Sequence, residues 1–222
     1  MGNYIFSIGL TLVAYLISRY ISKKVDSPLA NIVLLGSIFV IAFLLIFKIP
    51  IDNFKEGSYP LTLLFVPATA SFALPIYKEI ETLKKYFWVI VVGCSVGAVT
   101  SIAASLALAH LFDLDQIFKT ALVTKSVTSA IALELAALIG GEASLAVLAV
   151  SATGISGIVI IPYLIKIFKI DNPLAQGIGF GTTAHVMGTS KASEYGLIQA
   201  ATGGIAIVFT SIVTMVVVLS LF

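Results

Sequence analysis

The stretch GIGFGTTAHVMGTSK, residues 177–191, places four glycines, four hydroxyl side chains, a histidine and a lysine in a chain otherwise rich in Leu, Ile, Val, Ala and Phe. A continuous lipid-facing helix is not built this way. Glycine costs about 1 kcal/mol per helical position relative to alanine, and an unpaired polar group in hydrocarbon costs several kcal/mol. The pattern therefore predicts a helix whose backbone opens partway through a membrane and lines a cavity, as in the broken helices of many transporters.

The composition places the whole chain in a membrane. Of its 222 residues, 59% are hydrophobic and 11% are charged, whereas a soluble domain has about 25% charged residues. Its long apolar runs predict helices rather than the short alternating segments of a β-barrel. We therefore predict an all-α polytopic membrane protein, in which residues 1–222 form a single integral membrane domain within the lipid bilayer.

Six apolar runs are long enough to cross a bilayer, which takes about 20 residues. The predicted spans are residues 4–22, 29–49, 60–77, 86–112, 143–168 and 197–222. With the glycine-rich stretch and the less regular segment 117–139, they predict about seven or eight transmembrane segments. Pro67 and Pro75 interrupt the third run, and proline removes an amide donor and clashes with the preceding turn. We therefore predict that this run is kinked or broken.

Residues 29–112 and 143–222 resemble each other at positions that pair the two irregular segments. The paired positions are Phe47 with Phe168, Lys48 with Lys169, Pro60 with Pro173, Thr69 with Thr182, Lys78 with Lys191 and Glu81 with Glu194. Each match is weak alone, and chance is the alternative explanation. Broken helices at corresponding positions of a repeat are the best sequence pointer to a transporter site. We therefore predict an internal repeat whose two copies are linked by residues 117–139.

The topology depends on residues 117–139. If this segment enters and leaves on one side, seven crossings remain and the repeats run in opposite directions, as an inverted repeat. Loops 19–24, 78–85 and 166–169 then share a side, and each holds two or more Lys or Arg. The positive-inside rule makes that side cytoplasmic and puts the N-terminus outside. If the segment crosses fully, there are eight spans and the last of these loops changes side. We favour the first interpretation.

Lys125 lies in the segment TKSVTS, residues 124–129, and is the first candidate for substrate binding. As a cation it can meet an anionic substrate, to which Ser126 and Thr128 donate hydrogen bonds. Amides at a helix start add to the positive field. The alternative is an interfacial lysine whose ammonium group reaches water.

Two further ionisable residues lie in apolar or glycine-rich surroundings. Glu134 belongs to the apolar run AIALELAAL, residues 130–138, and an acid inside a membrane is a candidate for proton transfer. His185 lies in the glycine-rich stretch, and an unperturbed histidine titrates near neutral pH. The alternatives are a structural ion pair for Glu134 and a neutral His185 that bonds a neighbouring hydroxyl.

The glycines of the opening stretch have two interpretations. These residues are Gly177, Gly179, Gly181 and Gly188. They can form a small-residue face for close helix packing, or they can belong to an unwound segment that exposes amides. The adjacent Thr182, Thr183 and Thr189 favour the unwound segment.

Several classes of protein are not indicated. The sequence contains no His-Glu-x-x-His pattern, no metal-spaced Cys or His cluster and no P-loop. The glycine-rich stretch lacks the preceding strand of a dinucleotide fingerprint. No basic patch suggests nucleic acid. We therefore expect no enzyme activity, no cofactor, no metal and no nucleic-acid partner.

Three polar stretches resemble the signature stretches of the LrgB/CidB family, in the family's order. They are PATASFALPIY at residues 67–77, KSVTSAIA at residues 125–132 and GTTAHVMGTSK at residues 181–191. The resemblance covers nearly the whole chain. It departs from the family at Ser129-Ala130, where Thr-Pro is expected, and at Ser190-Lys191, where Ala-Arg is expected. The first departure removes a helix-breaking proline, and the second keeps a cation.

The resemblance implies two competing functions. Bacterial members are named antiholin-like, as modulators of murein hydrolase export and cell lysis beside a small holin-like LrgA/CidA partner. A plant chloroplast relative resembles a carrier of glycolate and glycerate, and bacterial members are also linked to pyruvate. A holin-type pore needs no Lys, Glu and His beside broken helices, whereas a site for a small carboxylate does. The residues therefore favour the carrier.

The predicted carrier binds a small 2-hydroxy or 2-oxo monocarboxylate between its two broken segments and works by alternating access. The predicted substrate-binding residues are Lys125, Ser126, Thr128, Thr69, Ser71, Thr182, Thr183, His185, Thr189 and Lys191. Glu134 or His185 is predicted to carry a coupled proton. We also expect a location in the plasma (inner) membrane, a homodimer, and a possible LrgA/CidA-like partner.

Overall fold

The computed structural model describes residues 2–25, 27 and 30–222, with only the backbone at residues 2, 65 and 66. Leu29, the first residue of the second predicted span, lies outside the described residues, as do Met1, Asp26 and Pro28. The described residues form thirteen helices and no strand: α1 (Gly2–Lys24), α2 (Ile32–Ile46), α3 (Ile51–Gly57), α4 (Tyr59–Thr62), α5 (Phe65–Ala70), α6 (Ala73–Lys78), α7 (Ile80–Lys85), α8 (Phe87–Leu111), α9 (Gln116–Val123), α10 (Ser129–Leu138), α11 (Ala143–Ile167), α12 (Pro173–Ala192) and α13 (Leu197–Leu221).

Helices of membrane-spanning length confirm the predicted fold class. Within the described ranges, five helical stretches are long and apolar enough to cross a bilayer: Asn3–Lys24, Tyr59–Lys78, Phe87–Leu111, Ala143–Ile167 and Leu197–Leu221. The shorter apolar helices α2 and α10 accompany them. The chain is therefore an all-α polytopic membrane protein.

The chain divides into two compact units, Met1–Ser71 and Phe72–Phe222. In the first unit, α1 packs against α2 and α3. A Cβ added at Gly57 would overlap the Asn3 carbonyl oxygen, so the end of α3 lies directly against the start of α1. A mostly apolar groove of about 560 Å³ lies beside α1 and α2. The single membrane domain over residues 1–222 stays a prediction.

The third predicted span stays helical from residue 59 to residue 78 but is divided into short segments. Residues 59–78 form the short helices α4, α5 and α6. Pro67 is the third residue of α5 and Pro75 is the third residue of α6. Proline is tolerated in the first turn of a helix but not in its interior, and each proline lies in the first turn of a short segment.

Residues 116–138 form a re-entrant hairpin in the second unit. Its arms α9 and α10 have 8 and 10 residues, or about 12 and 15 Å, and cannot cross a hydrocarbon core of about 30 Å. A Cβ added at Gly141, just after α10, would overlap Thr120 Oγ1 of α9. The chain therefore returns towards the end of the fold from which it came, as expected for a segment that enters and leaves on one side, and the number of crossings stays a prediction.

The glycine-rich stretch forms a second hairpin. Helix α12 opens at Ala184 (φ −119°, ψ 15°) and His185 (φ 42°, ψ −126°). In a continuous helix, residues 180 and 188 lie about 12 Å apart along the axis. Here a Cβ added at Gly188 would overlap the Phe180 carbonyl oxygen. The predicted opening of the backbone is confirmed, and the chain folds back at that point.

Three helices of 25 residues, α8, α11 and α13, frame the hairpins. The first arm of α12 runs in the same direction as α8, since Gly93 faces Ile178 and Gly97 faces Thr182. It runs against α11, because Ile161 clusters with Phe180 and Gly154, two turns before Ile161, lies against His185. Helices α8 and α11 are therefore antiparallel, and the two hairpins enter from opposite sides.

The direction of α13 bears on the predicted repeat. Cys94 of α8 clusters with Ala206, and Ile102, two turns later, clusters with Val218, so α8 and α13 are parallel. The seven-crossing interpretation counts the glycine-rich stretch as a crossing, whereas the structure turns it back. Parallel closing helices favour repeats in the same orientation over inverted ones. The repeat itself stays a prediction.

Candidate functional site

The tips of the two hairpins both lie against α11 near Val150. Val127, in the first tip, belongs to one buried cluster with Val150. The ring of His185, in the second tip, lies beside the Val150 carbonyl. Because the hairpins enter from opposite sides, both tips stop near the middle of the long helices. Half-helices arranged in this way form the substrate sites of many secondary transporters.

Lys125 reaches from the first tip to two serines of α8. Its Nζ donates to Ser101 Oγ at 2.9 Å and to Ser105 Oγ at 2.5 Å, and it lies 3.5 Å from the Ser101 carbonyl oxygen. Ser126 Oγ lies 2.8 Å from Ser101 Oγ. Two predicted binding residues, Lys125 and Ser126, therefore converge on one turn near the middle of α8.

The charge of Lys125 has no carboxylate partner in the part of the chain that the structure describes. The salt bridges there join Lys84 to Glu81 and Lys191 to Glu194. A lone charge removed from water costs several kcal/mol, and each hydrogen bond to a charged group returns about 1.5–3 kcal/mol. The two serines therefore stabilise the ammonium group without cancelling its charge, which favours a small anion beside it.

Thr128 shapes the first tip as the N-cap of α10. Its Oγ1 accepts from the Ile131 amide at 3.5 Å. An N-cap satisfies a free amide at a helix start, and the positive end of α10 then points at the tip. The break persists although Ser129-Ala130 replaces the Thr-Pro expected from the resemblance, because the Thr128 cap starts a new helix without a proline.

His185 has a strained backbone at the second tip. Its φ of 42° lies in a region that favours glycine, and outliers of this kind cost of order 1–3 kcal/mol and cluster at functional sites. The residue is 3% exposed, and among the described residues its Nε2 has no hydrogen-bond partner. A buried ring nitrogen in this state is available to a ligand or a proton.

The predicted threonines of α12 have three different environments. Thr182 Oγ1 accepts from Thr210 Oγ1 at 3.2 Å and donates to Cys94 Sγ at 3.7 Å, so it links α12 to α13 and α8. Thr189 Oγ1 is buried and lacks a partner within the described ranges. Thr183 is exposed. Of the three, Thr189 keeps an unused polar atom inside the protein.

Two predicted residues of the second unit do not join the hairpin tips, and two others belong to the first unit. Glu134 is exposed on α10, and neither of the two salt bridges found among the described residues includes it. Lys191 lies at the base of the second hairpin, where its Nζ bonds Glu194 Oε2 at 2.5 Å. Thr69 and Ser71 are exposed and belong to the first unit. Their roles stay predictions.

The residues that face the two tips were not predicted from the sequence. Ser101 and Ser105 lie four residues apart in the long apolar helix α8, and this spacing puts them on one helix face. This spacing is the sequence feature from which the two serines could have been predicted. Gly154 and Gly157 of α11 leave room for the second tip, because added Cβ atoms would lie 3.0 Å from His185 Cε1 and 2.6 Å from Ala184 Cβ.

A model of the LrgB-like family matches residues 11–222. The chain belongs to that family. Antiholin-like protein LrgB of Bacillus subtilis (strain 168) is 31% identical over 218 residues, which are 96% of this chain and 93% of the relative. The protein named YwbG of the same organism is 31% identical over 211 residues, which are 95% and 94% of the two chains. Antiholin-like protein LrgB of Bacillus mycoides (strain KBAB4) is 29% identical over 218 residues, or 96% and 93%.

The family match confirms the resemblance of the chain to this family. None of the three relatives' names describes an enzyme. No solved structure matches the chain significantly. The arrangement of the hairpins therefore rests on the structure of this chain alone.

Proposed function

We propose that the chain is a secondary carrier of small monocarboxylates, of the 2-hydroxy or 2-oxo acid class that includes glycolate, glycerate and pyruvate. The observation that supports this proposal is Lys125, a cation near the middle of the membrane whose partners in the described structure are neutral serines. A carboxylate at the hairpin tips neutralises that charge. The carrier then alternates between states in which one hairpin or the other gives access to the site.

The roles of the other groups follow from their environments. Ser126 and the positive end of α10 assist Lys125 in holding the carboxylate. His185 Nε2 bonds the 2-hydroxyl or 2-oxo group and carries a coupled proton, because it is buried and unpartnered within the described ranges. Glu134 is less suited to that proton, since its side chain is exposed on α10.

The test uses purified protein in liposomes and labelled glycolate, glycerate and pyruvate, with and without an imposed pH gradient. Wild-type protein is expected to show saturable uptake that one unlabelled acid competes away. Lys125→Met is expected to reduce uptake at least tenfold, since the substitution keeps the length of the side chain and removes its charge, and about 1.4 kcal/mol corresponds to a factor of ten.

The matched control for that test is Lys119→Met, a lysine on α9 of the same hairpin that lies six residues from Lys125. Its uptake is expected to stay within about twofold of the wild-type rate, because a distant partly exposed charge changes affinity little. Equal uptake by the Lys125 and Lys119 variants would contradict the assignment of Lys125.

The second candidate function is antiholin-like modulation of murein hydrolase export and cell lysis, together with a holin-like LrgA/CidA partner. The names of the relatives favour it directly, and more strongly than they favour a carrier. Absence of carboxylate uptake in liposomes, together with a change in murein hydrolase export when the chain is expressed or deleted in cells, would decide for this function.

The cellular setting belongs to the same proposal. The chain resides in the plasma (inner) membrane with its N-terminus outside, and it works as a homodimer. The lysines of loops 78–85 and 166–169 support this orientation, because the structure puts both loops at the same end of the antiparallel helices α8 and α11 and the positive-inside rule makes that end cytoplasmic.

A further inference from the structure

The hydrogen bonds around Lys125 have a fixed direction. An ammonium group carries three donors and no acceptor, whereas a hydroxyl carries one donor and accepts through its lone pairs. Ser105 Oγ therefore accepts from Lys125, and it gives its own proton to the Ser101 carbonyl oxygen at 2.7 Å. Ser105 has no further donor to offer.

The same rule sets the direction at Ser101. Its Oγ accepts from Lys125 at 2.9 Å, and Ser126 Oγ at 2.8 Å is the only other partner of that hydroxyl among the described residues. With either direction of this bond, one hydroxyl hydrogen of the pair has no acceptor among the described residues. Hydrogen bonds in a chain polarise one another, so Ser101, which already accepts from the ammonium group, is the better donor and gives its proton to Ser126.

We propose that Ser101 is a positioning residue that turns the hydroxyl hydrogen of Ser126 towards the substrate carboxylate. In the chain Lys125 to Ser101 to Ser126, each group donates to the next. The last proton, on Ser126 Oγ, then has no acceptor among the described residues, and Ser126 is only 4% exposed. This inference rests on the proposed carrier function and deepens it, because it names the residue that sets the donors of the site.

The ammonium group completes the donor pair. Two of its three N–H bonds point at Ser101 Oγ and Ser105 Oγ, and the Ser101 carbonyl, at 3.5 Å, is at best a weak third acceptor. A carboxylate has two acceptor oxygens and no donor when ionised. It therefore matches the Lys125 and Ser126 donors, while an amide or a primary amine of the same size presents donors to them and is rejected.

The experiment is a double-substitution series on reconstituted uptake of labelled glycolate or pyruvate, whichever the wild-type protein transports. Ser101→Ala and Ser126→Ala are each expected to raise KM about tenfold with little change in maximal rate. The two together are expected to raise KM by far less than the hundredfold product, because both changes remove the same donor. Ser101→Thr keeps the hydroxyl and is expected to restore KM to within about threefold of wild type, less than about 1 kcal/mol.

The matched control is Ser95→Ala on the same helix, where the hydroxyl donates to the Val91 carbonyl at 2.7 Å and lies outside this chain of bonds. Its KM is expected to equal that of the wild-type protein. A Ser101→Ala variant that behaves like Ser95→Ala, or a fully multiplicative double variant, would overturn the role of Ser101 while the carrier function stands. A wild-type protein that takes up no carboxylate would overturn both.

Discussion

Lys125 and Lys191 show how differently one residue type is used in this chain. Lys191 pairs with Glu194 at the base of its hairpin, so its charge is locally neutralised. Lys125 is held by the hydroxyls of Ser101 and Ser105. Sequence reasoning identified both lysines as candidate anion partners, because it could recognise a cation in an apolar chain. It could not separate them, since the partners of Lys125 lie 20 or more residues away, although Glu194 lies only three residues from Lys191.

The strain at His185 gives a prediction at the scale of one residue. His185→Gly is expected to be more stable than His185→Ala by about 1–2 kcal/mol, because glycine adopts a positive φ without the steric cost that a side chain adds. The measurement is thermal unfolding of the two purified variants in one detergent. Both variants lose the ring, so both are expected to lose transport.

Val186 is the control for the His185 pair. It follows the break, and no backbone outlier is found there. The order is expected to reverse at this site, with Val186→Gly less stable than Val186→Ala by about 1 kcal/mol. If His185→Gly and His185→Ala unfold at the same temperature, the strain at the tip is not real.

At the scale of elements, glycine serves close packing in α12. Gly177 and Gly181 of α12 lie against α13, where added Cβ atoms would overlap Thr202 Oγ1 and the Gly203 carbonyl oxygen. The backbone opens three residues later, at Ala184 and His185. Close packing is therefore the role of Gly177, Gly181 and Gly188, whereas the expected unwinding occurs at Ala184 and His185 and not at the glycines. Composition predicts that such a helix breaks, but it does not fix where.

Gly181 and Gly179 provide a matched pair on that helix. Gly181→Ala is expected to destabilise the protein by about 2 kcal/mol or more, because the Gly203 backbone blocks the new methyl group and overpacking costs typically 1–3 kcal/mol. Gly179 has no atom within 4 Å of an added Cβ. Gly179→Ala is therefore expected to be neutral or stabilising by up to about 1 kcal/mol.

Thermal unfolding of the two purified variants checks this pair. Equal loss of stability at both sites would mean that helix propensity, and not contact with α13, decides the outcome. A stable Gly181→Ala variant would mean that the first arm of α12 does not press against α13.

One hairpin was predicted more completely from its sequence than the other. Residues 117–139 were expected to enter and leave on one side, because the basic loops 19–24, 78–85 and 166–169 then share a side. For the glycine-rich stretch an opening was expected, but not a reversal of direction. The reversal depends on Gly154 and Gly157 of the distant helix α11, which leave space for the turn. A local sequence pattern does not show such a fit between segments that are far apart in the chain.

At the scale of the whole molecule, composition alone was enough for the fold class. Only helices and closed barrels span a bilayer, and a helical span takes about 17–25 apolar residues. The long apolar runs therefore predict a helical membrane protein. The direction of each helix was harder to predict, because one missed reversal of the chain reverses the predicted direction of every later helix. The parallel course of α8 and α13 is the consequence of the second hairpin.

Topology supplies a prediction at this scale. In a Cys94→Ala background, Asp115→Cys is expected to react with a membrane-impermeant maleimide in intact cells, and Asp171→Cys only after lysis. Both residues are exposed, and they follow α8 and α11, which end on opposite sides. The proposed orientation makes the side of Asp171 cytoplasmic, because lysines lie near it.

Labelling of both cysteines from the same side would contradict the antiparallel course of α8 and α11. Labelling with the two sides exchanged would keep the fold and reverse its orientation in the membrane.

The depth of the Lys125 ammonium group carries an electrical consequence. An anion that reaches it from either side crosses about half of the membrane and therefore about half of the transmembrane voltage. A full crossing by one charge is worth about 2.3 kcal/mol per 100 mV, so half is about 1.2 kcal/mol, or about a sevenfold change in affinity. A cell interior held at negative voltage pushes anions outward, so the site is loaded more readily from the cytoplasm than from outside. The resting cell therefore biases an anion that is carried without a proton towards export, whereas a proton carried with it on His185 cancels that bias.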